Sequence, residues 1–233
     1  MNVIGIIGAM EEEVNQLKER MREVKVKSKA GMDFYEGLFQ GRKCIIVRSG
    51  IGKVNAAVCT QILIDDFNAE LVINTGIAGS LKAEINIGDM VIATDTLQHD
   101  VDATGFGYAG GVIPRMETSI FQTEDRLSQL AYEICKKANP DIQVFRGRVV
   151  SGDQFISEKE KKNRIAEQFN GYCTEMEGAA IGQAAYLNNI PYLVIRAISD
   201  KADDSAHMDY GKFEEKAIEH TVKFVEALVP VLK

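Results

Sequence analysis

The chain has 233 residues, 45% of them hydrophobic and 26% charged, which supplies apolar surface for a sizeable core and sets disorder aside. A formal charge of −7 without a long basic block argues against a nucleic acid partner and points to a small-molecule substrate. No apolar stretch approaches the ~20 residues needed to cross a bilayer, and Cys44, Cys59, Cys135 and Cys173 lack C-x-x-C spacing, so they read as reduced thiols of a cytoplasmic protein.

The amino terminus is apolar but has no cationic leader and runs at once into Glu11, Glu12 and Glu13, so it does not read as a signal peptide. A strand is expected at Val3–Ile7, followed by a helix at Glu11–Arg22. Val24–Ala30 and Phe34–Phe39 alternate in polarity and are joined by Gly31-Met32-Asp33, the pattern of a hairpin. Further strands are expected at Lys43–Arg48, Leu71–Asn74, Asp89–Ala93, Val144–Val150 and Tyr192–Ile198, apolar throughout and hence buried on both faces. Between them, helical spacing of apolar residues marks Val54–Phe67, Glu124–Lys137, Glu158–Gln168, Glu177–Asn188 and Tyr210–Leu228. In the last of these, Phe213, Ala217, Val222, Val225 and Leu228 should form the buried face.

This alternation implies an α/β protein whose sheet is mixed, because the hairpin cannot join a purely parallel one. No Pro/Gly/Ser-rich linker or internal repeat divides the chain, so residues 1–233 are expected to form one domain. The least regular stretch, His99–Met116, is rich in glycine and long for a plain connection, as functional or interface loops are.

Gly5-Ile6-Ile7-Gly8 lacks the G-x-G-x-x-G spacing of a dinucleotide site. Gly50-Ile51-Gly52-Lys53 lacks the spacing and following hydroxyl of a triphosphate loop. His99-Asp100 with Asp102 falls short of a full ligand set, so no metal is expected, and no cofactor is implied. The acids are more informative. Open α/β sheets bind ligands at the carboxyl ends of their strands, where Glu13, Glu177 and Asp200 all fall. Each alone reads as readily as a surface carboxylate near a helix amino terminus.

Six segments change that balance. Gly5–Glu13, Ser49–Lys53, Asn74–Gly79, Ser151–Ile156, Glu175–Glu177 and Arg196–Asp200 resemble, in order and spacing, the successive signatures of the bacterial 5′-methylthioadenosine/S-adenosylhomocysteine nucleosidases. The resemblance covers nearly the whole chain. It implies a nucleoside phosphorylase-like three-layer α/β/α sandwich with a central mixed sheet, and hydrolysis of the bond between adenine and a thioribose. Splitting that bond leaves positive charge on the sugar and negative charge on the base, so an acid must protonate the leaving base.

By resemblance Asp200 is that acid, acting at adenine N7 and oriented by Ser199. Glu13 activates water on the opposite face of the sugar, as in inverting glycoside hydrolysis. Glu177 grips the ribose hydroxyls, Met176 packs on the ribose, Phe155 stacks on adenine and the Ile156 backbone meets its polar edge. Ala9, Ile51 and Gly79 line the ligand, and Tyr210 stands where the family usually has phenylalanine. The long loop, through Phe106 and Pro114, is expected to cover the alkylthio group in the other subunit of a homodimer. A purine nucleoside phosphorylase is the close rival, but Asn74 and Ile77 replace its phosphate-binding arginine and serine, and Glu13 would repel the anion.

Overall fold

The computed structural model describes residues 3–203 and 206–232, with the side chains of residues 207–212 outside that description. The strands are β1 (Val3–Gly8), β2 (Arg22–Lys29), β3 (Met32–Phe39), β4 (Arg42–Arg48), β5 (Ala69–Ser80), β6 (Met90–Gln98), β7 (Ile120–Gln122), β8 (Val144–Ser151), β9 (Cys173–Glu175) and β10 (Tyr192–Asp200). The helices are α1 (Glu11–Glu19), α2 (Lys53–Phe67), α3 (Asp125–Ala138), α4 (Lys159–Phe169), α5 (Gly178–Leu187) and α6 (Ala206–Leu228).

Because the central strands are largely apolar on both faces, alternate residues enter opposite cores. Ile7, Val47, Val72 and Val194 pack with Ala56, Cys59 and Leu63 of α2 and Ile181 of α5. Their neighbours Ile6, Ile46, Ile73 and Ile195 pack on the other face with Val14 and Leu17 of α1, Cys135 of α3 and Val225 of α6. The expected three layers and mixed sheet are therefore present. In α6, Ala217, Val222, Val225 and Leu228 are buried, and Phe213 is half-buried.

The sheet runs β10-β6-β8-β9-β5-β1-β4-β3-β2, and β10 pairs with β5 as well, so β5, β10, β6, β8 and β9 close into a ring. Closure explains why β5 continues to Ser80, six residues past the expected end at Asn74. The segment Thr75–Ser80 looks like a turn by composition, yet it pairs with β10 as far as Gly79 and with β9 at Gly79 and Ser80. The hairpin also differs in detail. Its turn is Ala30-Gly31, both at positive φ (52° and 74°) as a two-residue turn matched to strand twist requires, and Met32 and Asp33 already pair with β2. Helix α1 stops at Glu19 because the chain enters β2 at Arg22, and β7 and β9, three residues each, carry no readable period.

Candidate active site

Beyond the carboxyl ends of β1, β5 and β10 lies a cavity of about 500 Å³. Glu13, Glu177 and Asp200 all reach it, although they start from α1, the head of α5 and the end of β10. Ala9, Ile51, Gly79, Phe155, Ile156, Met176 and Ser199 line it as well.

Glu13 is 4% exposed and sits in the first turn of α1. One carboxylate oxygen accepts the N–H groups of Ala9 (2.6 Å) and Met10 (3.0 Å), and the other accepts that of Ile77 (3.2 Å). The first two bonds satisfy amide groups that a helix start leaves open, so one side chain both caps α1 and faces the cavity. Burial pushes the Glu13 carboxyl above its ordinary value, against the pull of Arg196 and the three N–H donors. Gly76 makes room for it, since a Cβ there would lie 2.5 Å from Oε1 of Glu13.

Arg196 is 1% exposed in the middle of an otherwise apolar strand, so its charge must be met inside the protein. Its guanidinium donates to Glu175 and to Oδ1 of Asn74 (2.5 Å), and a Glu177 carboxylate oxygen lies 3.9 Å away. Glu175 in turn accepts the Ser151 hydroxyl and the N–H groups of Glu177 (3.1 Å) and Gly178 (2.8 Å), which pins the head of α5. Glu177 accepts the Gly52 N–H at 2.8 Å. Burial first, and then the charges of Glu175 and Glu13, raise the Glu177 carboxyl above the usual range, with Arg196 and the Gly52 amide opposing. Burial alone would draw the Arg196 guanidinium down, but Glu175, Glu177 and Glu13 raise it above its ordinary value.

Asp200 occupies a second, separate setting. It is 2% exposed and accepts the Ser199 hydroxyl (2.8 Å) and the Ala202 N–H (2.7 Å). Gly79 gives it space, as a Cβ there would lie 2.8 Å from Oδ1 of Asp200. Gly76 and Gly79 are three residues apart on one strand, roughly 10 Å when extended, so β5 meets Glu13 at one station and Asp200 at the other. Phe155 is 43% exposed at the rim, while Ile156 is buried in a small core with Val150, Ile165 and Ala202 beside Asp200.

The loop positions lie apart from this cavity within the chain. Phe106 is 87% exposed and Pro114 is exposed. The side chain of Tyr210 lies outside the described residues. Arg196 and Glu175 are functional neighbours that sequence reasoning passed over. One signal could have found Arg196, a lone cation in Val194-Ile195-Arg196-Ala197-Ile198, where a strand buried on both faces leaves it nowhere to be solvated. Among the described residues no His/Cys/Asp/Glu group could hold a metal ion; Asp102 turns to Thr104 (2.7 Å) and Asp100 to Lys53 (2.6 Å).

A family model described as the phosphorylase superfamily matches residues 3–230. The 5′-methylthioadenosine/S-adenosylhomocysteine nucleosidase of Staphylococcus aureus strain JH9 is 43% identical over 231 residues, 99% of this chain and 100% of the relative. The chain belongs to this nucleosidase family. It is thus an N-glycosyl hydrolase of the phosphorylase superfamily. A solved nucleosidase from Neisseria meningitidis, in complex with methylthio-immucillin-A, superimposes with a TM-score of 0.95 at 39% identity over the whole of both chains. That of Colwellia psychrerythraea, in complex with adenine, gives 0.94 at 36% identity over 98% of this chain and 95% of that one. Among the described residues no helix of the enzyme is long and apolar enough to cross a membrane.

Proposed function

We propose that the enzyme hydrolyses the N-glycosidic bond of 5′-methylthioadenosine and S-adenosylhomocysteine, releasing adenine and the thioribose product. The observation that carries water over phosphate as the nucleophile is the charge around Arg196. Three carboxyl groups, Glu13, Glu175 and Glu177, surround this one guanidinium, whose Nη2 serves Glu175 and Asn74 and whose Nη1 serves the Ile195 carbonyl. A phosphate dianion placed there would add charge to a buried group of carboxyls that already resists ionisation, and would find no spare donor from Asn74, whose amide nitrogen serves the Ile7 carbonyl at 3.0 Å. A cationic sugar would be welcome in the same place.

The roles follow from the two stations. Asp200, held by Ser199 and Ala202, delivers a proton to adenine N7 as the bond breaks, so the base leaves neutral. Glu13 takes a proton from water, and its raised basicity suits it to that task provided it is ionised when substrate binds. Glu177 accepts the ribose hydroxyls and stabilises the positive sugar, with Met176 against the ring. Phe155 stacks on adenine, Ile156 supplies backbone contacts, and Ala9, Ile51 and Gly79 close the walls. Tyr210 is assigned to substrate binding by its match to the family position usually held by phenylalanine.

The chain acts as one catalytic domain within a homodimer. Val54 and Val58, one turn apart at the head of α2, are 73% and 41% exposed, and Ile51 in the turn before them is 52% exposed, an apolar face that calls for cover, as does Phe106. Each loop, through Phe106 and Pro114, covers the alkylthio group in the other site. Four buried free thiols suit a cytoplasmic enzyme, placed in methionine salvage and the recycling of S-adenosylmethionine by-products. Chromatographic detection of free adenine in phosphate-free buffer tests the reading. Adenine should appear from both nucleosides at a rate indifferent to added phosphate, and formation of a sugar 1-phosphate would reject it.

A further inference from the structure

The chemistry above leaves Asp100 unused, yet this residue closes a triangle between three distant segments. One oxygen of Asp100 accepts the Lys53 ammonium at 2.6 Å, and the other accepts the Asp153 N–H at 2.9 Å. Asp153 completes the circuit by accepting the Lys53 N–H at 2.8 Å. The Lys53 ammonium donates also to Gln98 at 2.9 Å, so its position is fixed twice. With the Lys53 and Asp100 side chains only 18% and 14% exposed, the pair is screened less than a surface ion pair. Lys53 and the Asp153 N–H hold the Asp100 carboxyl below its ordinary value although burial acts to raise it.

Two of the corners adjoin groups assigned to the ligand. Gly52, next to Lys53, gives its N–H to Glu177, and Phe155 stands two residues beyond Asp153. Gly52 itself is fitted to the triangle. Its φ of 99° suits glycine, and a Cβ there would press on Asp153 at 3.0 Å. Moving any corner therefore moves the amide that orients Glu177, the rim that carries Phe155, or both.

We propose that Lys53, Asp100 and Asp153 are positioning residues that set the distance between the ribose grip and the adenine clamp. This rests on the assignment of Glu177 to ribose and Phe155 to adenine. The triangle touches neither Glu13 nor Asp200, so it leaves the proton transfers alone and acts through ligand binding and the seat of Glu177.

The test uses the full-length enzyme with Asp100→Asn, Lys53→Met and the double substitution. Each single variant should raise KM for methylthioadenosine and weaken adenine binding by calorimetry about three- to tenfold, the loss of one charge-assisted hydrogen bond. Turnover at saturation should fall by less than KM rises, because Glu177 keeps its contact with Arg196 and both proton-transfer groups are untouched. The double variant should be no worse than either single one, since both break the same circuit. Unchanged KM and adenine affinity in both single variants, even with a lower melting temperature, would overturn the proposal, as would losses confined to kcat or multiplying in the double variant. If the unmodified enzyme released no adenine, the functional reading would fall, while adenine calorimetry would still decide the fate of the triangle.

Discussion

The inner end of the cavity and the loop at 99–116 meet the same demand, a place for a ligand, by opposite routes. At the inner end every charged group is buried and bonded within the chain, Glu13 through three amides, Glu177 through Gly52 and Arg196, Asp200 through Ser199 and Ala202. The loop instead offers Phe106 to solvent at 87% exposure. Charge needs fixed partners at fixed distances, which strand ends and helix starts of one chain provide. An apolar cover needs only another surface to exclude water, and a second subunit can supply that. The difference teaches that catalysis should be sensitive to inner substitutions through kcat, and to loop substitutions through KM.

Glu13→Gln probes the inner end most severely. The amide keeps the shape but cannot take a proton from water, so kcat should fall by on the order of 10⁴-fold while calorimetry shows substrate still bound. Near-normal turnover would remove Glu13 from the mechanism. Phe106→Ala probes the outer end. KM for methylthioadenosine should rise about tenfold with kcat little changed, the scale of one apolar anchor at an interface, while sedimentation still gives a dimer. A fully active monomer of the unmodified enzyme would break the comparison outright.

The smallest effect concerns stability and pH. Because burial raises the Glu177 carboxyl, the folded protein holds that proton more tightly than the unfolded chain does. Stability from this source is present below the ordinary carboxylate range and is lost as pH rises through the raised folded value. Glu13 acts in the same direction. Thermal unfolding across that window should therefore show a falling melting temperature, and Glu177→Gln should flatten the fall by about 2–4 °C. Equal slopes in the two proteins would show that burial of Glu177 costs nothing.

The same contrast separates what could be read in the sequence from what could not. Strands such as Val3–Gly8 and Tyr192–Asp200 were legible because two buried faces demand mostly apolar residues. Ring closure was not, since it depends on Thr75–Ser80 pairing on both sides with strands more than ninety residues away, and small residues carry no periodicity. The hairpin was legible, but its turn was placed one residue late because Gly31 supplies only half of the positive-φ pair and Ala30 the other half. At the site, Glu13, Glu177 and Asp200 stood out through their family signatures, and the structure brings all three to one cavity. Arg196 and Glu175 belonged to the same signatures and went unremarked. Their importance lies in mutual neutralisation across two strands, a relation between distant positions that no local pattern states.

The central claim is a division of labour along β5, with proton donation at the Gly79 station and water activation at the Gly76 station. Asp200→Asn tests it most directly when kcat is measured with methylthioadenosine and with a nucleoside whose leaving group departs without protonation. The account predicts a loss of about 10²–10⁴-fold for the adenine nucleoside and a much smaller loss for the other. Equal losses on both, or none on either, would contradict it and send the search for the proton donor elsewhere in the cavity.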